Sequence, residues 1–212
     1  MPGAAFSCVV IWAPLLAIEI GFMRKLPIVL FIATFLPAAA LADADAGKAK
    51  AVVCAACHGL DGNSSNPVWP KLAGQTARYL YLQLQDFKAG RRKDPLMSPM
   101  AANLSREDML DLAEYFSSQK MTSSTYKVES AKVVEGKKIA DNALCPMCHL
   151  GGFSGQNEIP VVAGQHYDYI IKQLKDFRAR KRTNDAGNMT AYTQGVTDEQ
   201  IDALAQYITN LR

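Results

Sequence analysis

Two short stretches carry the residue types best suited to chemistry. In "VVCAACHGLDG", Cys54 and Cys57 stand three apart with His58 directly behind, and "ALCPMCHLGG" repeats the arrangement as Cys145, Cys148 and His149. Two thiols at that spacing, on a turn leading into a helix, can each add to one vinyl group of a porphyrin. The adjacent histidine is then directed over the ring to ligate iron from one face, which is the attachment pattern of c-type haem. The pair of stretches therefore predicts two covalently bound haem c groups. Zinc is the weaker rival, because 87 residues separate the two cysteine pairs, whereas zinc ribbons keep them about 15–20 apart. Thioredoxin-like redox sites need strand-then-helix surroundings, for which the sequence offers no strand. Disulfides within each pair leave the histidines without a purpose.

A low-spin haem needs a second axial ligand. "DPLMSPMAANLS" offers Met97 and Met100 in the first half, and "DAGNMTAYTQGVT" offers Met189 in the second. Aligning Leu104-Ser105 with Val196-Thr197 sets Met97 opposite Met189 and Met100 opposite Tyr192. The spacings agree, at 39 residues from His58 to Met97 and 40 from His149 to Met189. Met97 is the choice, with Met100 packing over the ring edge. A ligating imidazole normally donates its other N–H to a carbonyl, and the matched prolines Pro70 and Pro160 are placed to supply it. Gln75 with Gln165, and Tyr79 with Tyr169, are candidates for hydrogen bonds to haem propionates. His166 aligns with Thr76 and is expected at the surface, outside the ligand set.

The elements that must hold these residues come in two copies. "LAGQ" at Leu72 returns as "VAGQ" at Val162, "YLQLQDFKAGRRK" from Tyr81 as "IKQLKDFRARKRT" from Ile171, and Tyr115 as Tyr207, always in order at offsets of 90 to 92. An ordered series at a drifting offset is the mark of internal duplication, and two units make a pair of small domains and no solenoid. "SRED" from Ser105 and "TDEQ" from Thr197 read as capped helix starts. Met109, Leu112, Ala113 and Phe116 follow the first at helical spacing, and Ile201, Leu204, Ala205 and Ile208 follow the second. Leu80, Leu84 and Phe87 form a middle stripe, matched by Ile170, Leu174 and Phe177. No segment alternates with the period of two that a half-buried strand requires. The fold class expected is all-α: two tandem haem domains of three main helices, at 43–120 and 136–212, with 121–135 as a Ser-, Thr- and Lys-rich linker. Domains of about 80 residues need a staple or a large apolar insert to be stable, and a porphyrin is such an insert.

Residues 1–42 stand apart. From Met23, Arg24 and Lys25 precede an apolar run from Leu26 to Leu36 and then Ala40-Leu41-Ala42, the anatomy of a secretory leader cut after Ala42. Residues 1–22 precede that pattern, so Met23 is the expected natural start. The competing interpretation, a retained membrane tether, is limited by Pro27 and Pro37, which hold the run below the ~20 residues a span needs. Beyond Ala42, 21 Lys and Arg face 19 Asp and Glu. No basic stripe supports nucleic-acid binding. The clusters "GRRK" from Gly90 and "RARKR" from Arg178 read as solvated helix ends. Cys8 leaves with the leader, so every remaining cysteine belongs to a CxxCH stretch.

Taken together, "CAACHGLDGN", "PKLAGQ", "YLQLQDFKAG" and "MSPMAANLS", with "CPMCH", "VAGQHYDYIIKQLKDFRARKRTND" and "NM", closely resemble the di-haem cytochrome c4 family over nearly all of Asp43 to Arg212. Leu150 to Phe153 departs from the polar turn usual after the second site. The resemblance implies two class I cytochrome c domains face to face, with propionate edges near their interface. It also implies a periplasmic electron carrier, often membrane-associated, that feeds terminal oxidases. The expected function is outer-sphere transfer of single electrons between respiratory protein partners, such as a quinol-oxidising complex or another donor and a terminal oxidase. No substrate or catalytic residue of its own is expected. The enzyme alternatives are a di-haem peroxidase and the haem subunit of a dehydrogenase.

Overall fold

The computed structural model describes residues 42–211. The leader, its alternative start sites and Cys8 lie outside the described residues. In the first half, α1 (Ala44–Lys50), α2 (Ala55–His58), α3 (Ala77–Lys88), α4 (Met97–Ala101) and α5 (Arg106–Ser117) follow one another. The second half repeats them as α6 (Ser130–Asn142), α7 (Cys145–His149), α8 (Tyr167–Arg178), α9 (Asn188–Thr193) and α10 (Asp198–Asn210). Among the described residues there is no strand, only an isolated bridge between Gln156 and Ile159.

Helix starts are set by local chemistry. Ser105 and Asp108 form a capping box on α5, and Thr197 and Gln200 form one on α10. Each pair satisfies two backbone donors that the first turn would otherwise leave open. The apolar stripes close the cores. Leu80, Met109, Leu112, Ala113 and Phe116 gather in one half, and Ala140, Phe153, Ile170, Leu204, Ala205 and Ile208 in the other. Each large side chain taken from water contributes about 1.5–3 kcal/mol.

The first and last helices of each half cross at a glycine. A Cβ on Gly47 would lie 2.0 Å from the Asp111 carbonyl oxygen, and one on Gly136 would lie 2.0 Å from that of Ala203. Only a residue without a side chain allows so close an approach. Helix α6 begins at Ser130, inside the stretch expected as linker, and buries Gly136 and Ala140, four apart, as it packs on α10. The extended segment between the halves therefore ends at Glu129.

Among the described residues, no helix is long and apolar enough to cross a membrane.

Candidate haem sites and the cage between them

The CxxCH residues occupy one short helix in each half, with Cys54 capping α2 and Cys145 opening α7. His58 is 5% exposed and His149 9%. The Nδ1 of His58 lies 2.9 Å from the Pro70 carbonyl oxygen, and the Nδ1 of His149 lies 3.0 Å from that of Pro160. Burial lowers the pKa of both imidazoles, an effect only partly offset by these carbonyls. A neutral ring donating from Nδ1 carries its lone pair on Nε2, which no described residue engages. That is the electronic state of a metal-ligating histidine whose orientation is fixed from behind.

None of Cys54, Cys57, Cys145 and Cys148 is in a disulfide. Burial raises the pKa of Cys54 and of Cys145, the opposite of the depressed value a redox-active thiolate needs. Among the described residues, no three of His, Cys, Asp and Glu gather where a metal ion could sit, which removes the zinc alternative. The donor chemistry thus fits haem: paired thiols beside an oriented neutral imidazole, twice over.

Met97 is the first residue of α4 and Met189 the second of α9. Both are half-buried, whereas Met100 is 49% exposed and its counterpart Tyr192 50%. An aspartate ahead of each methionine holds its loop. Asp94 accepts from the backbone N–H groups of Leu96 and Met97, and Asp185 accepts from those of Gly187 and Thr190. Sequence reasoning missed this pair. The signal was an aspartate three residues before one methionine and four before the other.

The other residues expected around the haems lie between the two halves. Gln75 and Gln165 were expected at propionates, but each clamps the backbone of the opposite half. Gln165 accepts from Lys71 N–H at 2.8 Å and donates to Lys71 O at 2.9 Å. Gln75 accepts from Val161 N–H and donates to Val161 O, both at 2.8 Å. A primary amide matches one donor and one acceptor of an extended backbone, so both ends of each side chain are occupied. His166, expected at the surface, is half-buried, with Nε2 2.8 Å from Ser64 O of the first half. It makes no side-chain cap on α8, which leaves the ring available for that contact.

Tyr79 and Tyr169 belong to a polar cage built on Arg92 and Arg182. Arg92 donates to Gln83, to the Tyr169 hydroxyl at 2.9 Å and to Gln173. Arg182 donates to Gln173, Gln83, Asn184 and the Tyr79 hydroxyl at 3.0 Å. Each arginine thus reaches the tyrosine of the other half. Each guanidinium also lies over a phenyl ring of its own half, Arg92 at 4.6 Å from the Phe87 centroid and Arg182 at 4.5 Å from that of Phe177. Both arginines are 9% exposed, which corrects their expected place on solvated helix ends. Among the described residues neither has a carboxylate within ion-pairing distance. Asp86 is taken by Arg91 Nε at 2.7 Å and by Asn184 at 2.6 Å. Burial opposes ionisation of the Tyr79 phenol, yet the two guanidiniums outweigh it and hold its pKa below the usual tyrosine value. The cage carries uncompensated positive charge.

Two helical modules, each with CxxCH on a short helix and a methionine on the helical turn that follows the middle helix, define a c-type cytochrome. Comparison with known proteins agrees. The family model described as "Cytochrome c" matches residues 44–120 and again 133–212. A cytochrome c4 from Azotobacter vinelandii is 43% identical over 190 residues, covering 81% of this chain and 90% of the relative. The crystal structure of reduced recombinant cytochrome c4 from Pseudomonas stutzeri superposes with a TM-score of 0.76 at 40% identity, covering 81% of this chain and 100% of that one. A protein named thiosulfate dehydrogenase electron acceptor, from Stutzerimonas stutzeri, is 31% identical over 172 residues, covering 76% of this chain and 80% of its own length. The chain belongs to the cytochrome c4 family. It is a di-haem electron-transfer cytochrome with two covalently bound haem c groups and redox proteins as partners.

Proposed function

We propose that the protein is a periplasmic carrier that moves single electrons between respiratory partners by outer-sphere transfer, toward a terminal oxidase. The observation that carries this reading is that both halves present the same donor pair in the same setting. In it, Cys54 and Cys57 would tether one haem and His58 and Met97 would ligate its iron, while Cys145 and Cys148 would tether the other, with His149 and Met189 as its ligands. The haem would supply a one-electron iron couple, and a thioether ligand beside an imidazole one would favour its ferrous state. Pro70 and Pro160 hold the imidazoles in one tautomer, while Asp94 and Asp185 fix the methionine loops. With histidine and methionine both bound to each iron, neither half would keep a position for dioxygen or peroxide, and the chain would need no substrate of its own.

Arg92 and Arg182, with Tyr79 and Tyr169, seat the carboxylate groups of the haems in this reading. Two buried guanidiniums without a carboxylate are costly unless an anion completes them, and a tethered haem brings its own.

Export is supported by the first described helix. A leader cut after Ala42 frees the amine of Asp43, whose nitrogen lies 2.9 Å from Asp111 Oδ1. The new positive charge then meets a buried carboxylate.

A second reading makes the protein the electron-accepting haem subunit of a dehydrogenase, and the relative named thiosulfate dehydrogenase electron acceptor favours it. Carbon monoxide binding and peroxide turnover by the reduced, haem-loaded protein test the carrier reading. It predicts neither, together with two one-electron steps in a redox titration. A carbon monoxide adduct or peroxidase activity overturns it, and co-purification with a catalytic subunit favours the second reading.

A further inference from the structure

The crossed glutamine clamp has a specific address in each half. Lys71, whose N–H and carbonyl are both taken by Gln165, directly follows Pro70, the residue whose carbonyl receives His58 Nδ1. Val161, whose N–H and carbonyl are both taken by Gln75, directly follows Pro160, the partner of His149 Nδ1. Peptide planes are rigid, so fixing both polar groups of one residue fixes the carbonyl of the residue before it. The link is closed in both directions, with each glutamine in one half and the histidine it bears on in the other.

We propose that Gln75 and Gln165 are positioning residues that act across the domain boundary, Gln165 setting the imidazole of His58 and Gln75 that of His149. This rests on the reading of both histidines as axial ligands. The strength of an Nδ1–H···O bond sets how basic an iron-bound imidazole is, and hence how well it supports ferric iron. Each domain therefore tunes the potential of the haem in its neighbour, and the two redox centres are coupled through backbone as well as through space. Gln75 and Gln165 are both 4% exposed, so water does not readily replace the bonds they make.

Lys71 adds an asymmetry. Its ammonium group donates to Thr122 O at 2.8 Å and Gly164 O at 3.1 Å, tying the same loop to the linker and to the second half, whereas Val161 has no such group. The loop behind His58 is held by one more anchor than the loop behind His149. Loss of Gln75 is accordingly felt more strongly than loss of Gln165.

The test uses the haem-loaded protein in its reduced, diamagnetic state, with nitrogen-labelled histidine to follow the two ring Nδ1–H signals. Gln165→Leu is expected to speed solvent exchange of the His58 signal about tenfold, the scale of two lost hydrogen bonds, and to raise the midpoint of the first-half haem alone. Gln75→Leu is expected to act in the same direction on His149 and the second-half haem, by a larger factor. Thr76→Val, which removes a different interdomain bond, from the Thr76 hydroxyl to Asn157 O, and with it the cap on α3, but spares the Gln75 side chain, should leave both signals unchanged. If Gln165→Leu does not accumulate, Gln165→Asn, one methylene short of the Lys71 backbone, gives the same crossed result at smaller amplitude. An effect on the histidine of the same half, on both histidines equally, or on neither overturns the proposal. Absence of two iron-bound histidine signals in the unaltered protein would instead sink the ligand reading beneath it.

Discussion

Phe153 stands where Gly62 stands in the other half. Phe153 has φ of 60° and Gly62 of 79°. The carbonyl of each accepts two backbone N–H groups, from Leu72 and Ala73 at Gly62 and from Val162 and Ala163 at Phe153. A Cβ on Gly62 would strike the Phe116 ring at 2.8 Å. In the second half the residue matching Phe116 is the smaller Ile208, and Phe153 is itself a core residue, its ring 5.7 Å from that of Tyr207. An aromatic ring has moved from the last helix to the haem loop, at the cost of a strained backbone position. The same loop places Leu150 at φ 63°, ψ 169°, where the first half has Gly59 at φ 78°, ψ 155°.

That region of the backbone map is essentially reserved for glycine, and other residues held there cost about 1–3 kcal/mol. Leu150→Gly should therefore stabilise the second domain by a net amount of about 1 kcal/mol, after the entropy glycine adds to the unfolded chain. Thermal unfolding of the haem-loaded protein checks this. An unchanged or lowered midpoint would show that the leucine side chain contributes more than its strain costs.

The glycine crossings give the opposite sign. Gly47→Ala and Gly136→Ala push a methyl group into backbone atoms that cannot give way, and overpacking of this kind costs about 1–3 kcal/mol. Denaturant titration should show each variant losing stability, with the helix pair of the affected half separating first.

Methionine substitutions separate the two candidates of the first half. Met97→Ala should abolish the methionine-to-iron charge-transfer absorption of one haem and lower its midpoint, because loss of the soft ligand removes support for ferrous iron. Met100→Ala should leave both unchanged. Visible and near-infrared spectra during a redox titration read both quantities.

The arginine cage makes an electrostatic prediction. Arg92→Gln or Arg182→Gln removes a buried positive charge, which favours the more positive ferric state and lowers the haem midpoints. Lysine at either position should recover part of the shift. Equal midpoints in all variants would place the cage away from the haems.

One acid-sensitive cluster is particular to the first half, because its central residue Asp111 has Ala203 as counterpart. Hydrogen bonds from Lys50 and from the Asp43 N–H hold the Asp111 pKa below its ordinary 3.8. Lys50, followed by the Ser105 cap, brings Asp108 down to about 2. Both folded-state values are depressed, so the stability these carboxylates contribute is complete above about pH 4. It is lost as the pH falls through the folded-state values toward 2. Lys50→Met should flatten that loss between pH 4 and 2 for the first domain, as followed by circular dichroism, and leave the second domain unaffected.

Much of this architecture was legible in the sequence because it is local. A CxxCH stretch carries its own chemistry, a capping box lies within four residues, and a helical stripe within twelve. The repeat also pointed to Pro70 and Pro160 by position alone. Gln75, Gln165, His166, Arg92 and Arg182 were misplaced for a common reason. Each is a polar residue whose partner lies about 80 to 100 residues away in the other half, so no local pattern separates it from a solvated side chain. The recurrence of Arg92 as Arg182 within clusters that otherwise match loosely was the available clue.

Mass spectrometry of the denatured protein, made in a host that matures c-type cytochromes, tests the central claim most directly, because thioether bonds survive unfolding. The account predicts one species heavier than the polypeptide by two haem groups, reduced to one by Cys54→Ala/Cys57→Ala or by Cys145→Ala/Cys148→Ala. A bare polypeptide, or a single haem that either double substitution removes, would contradict it.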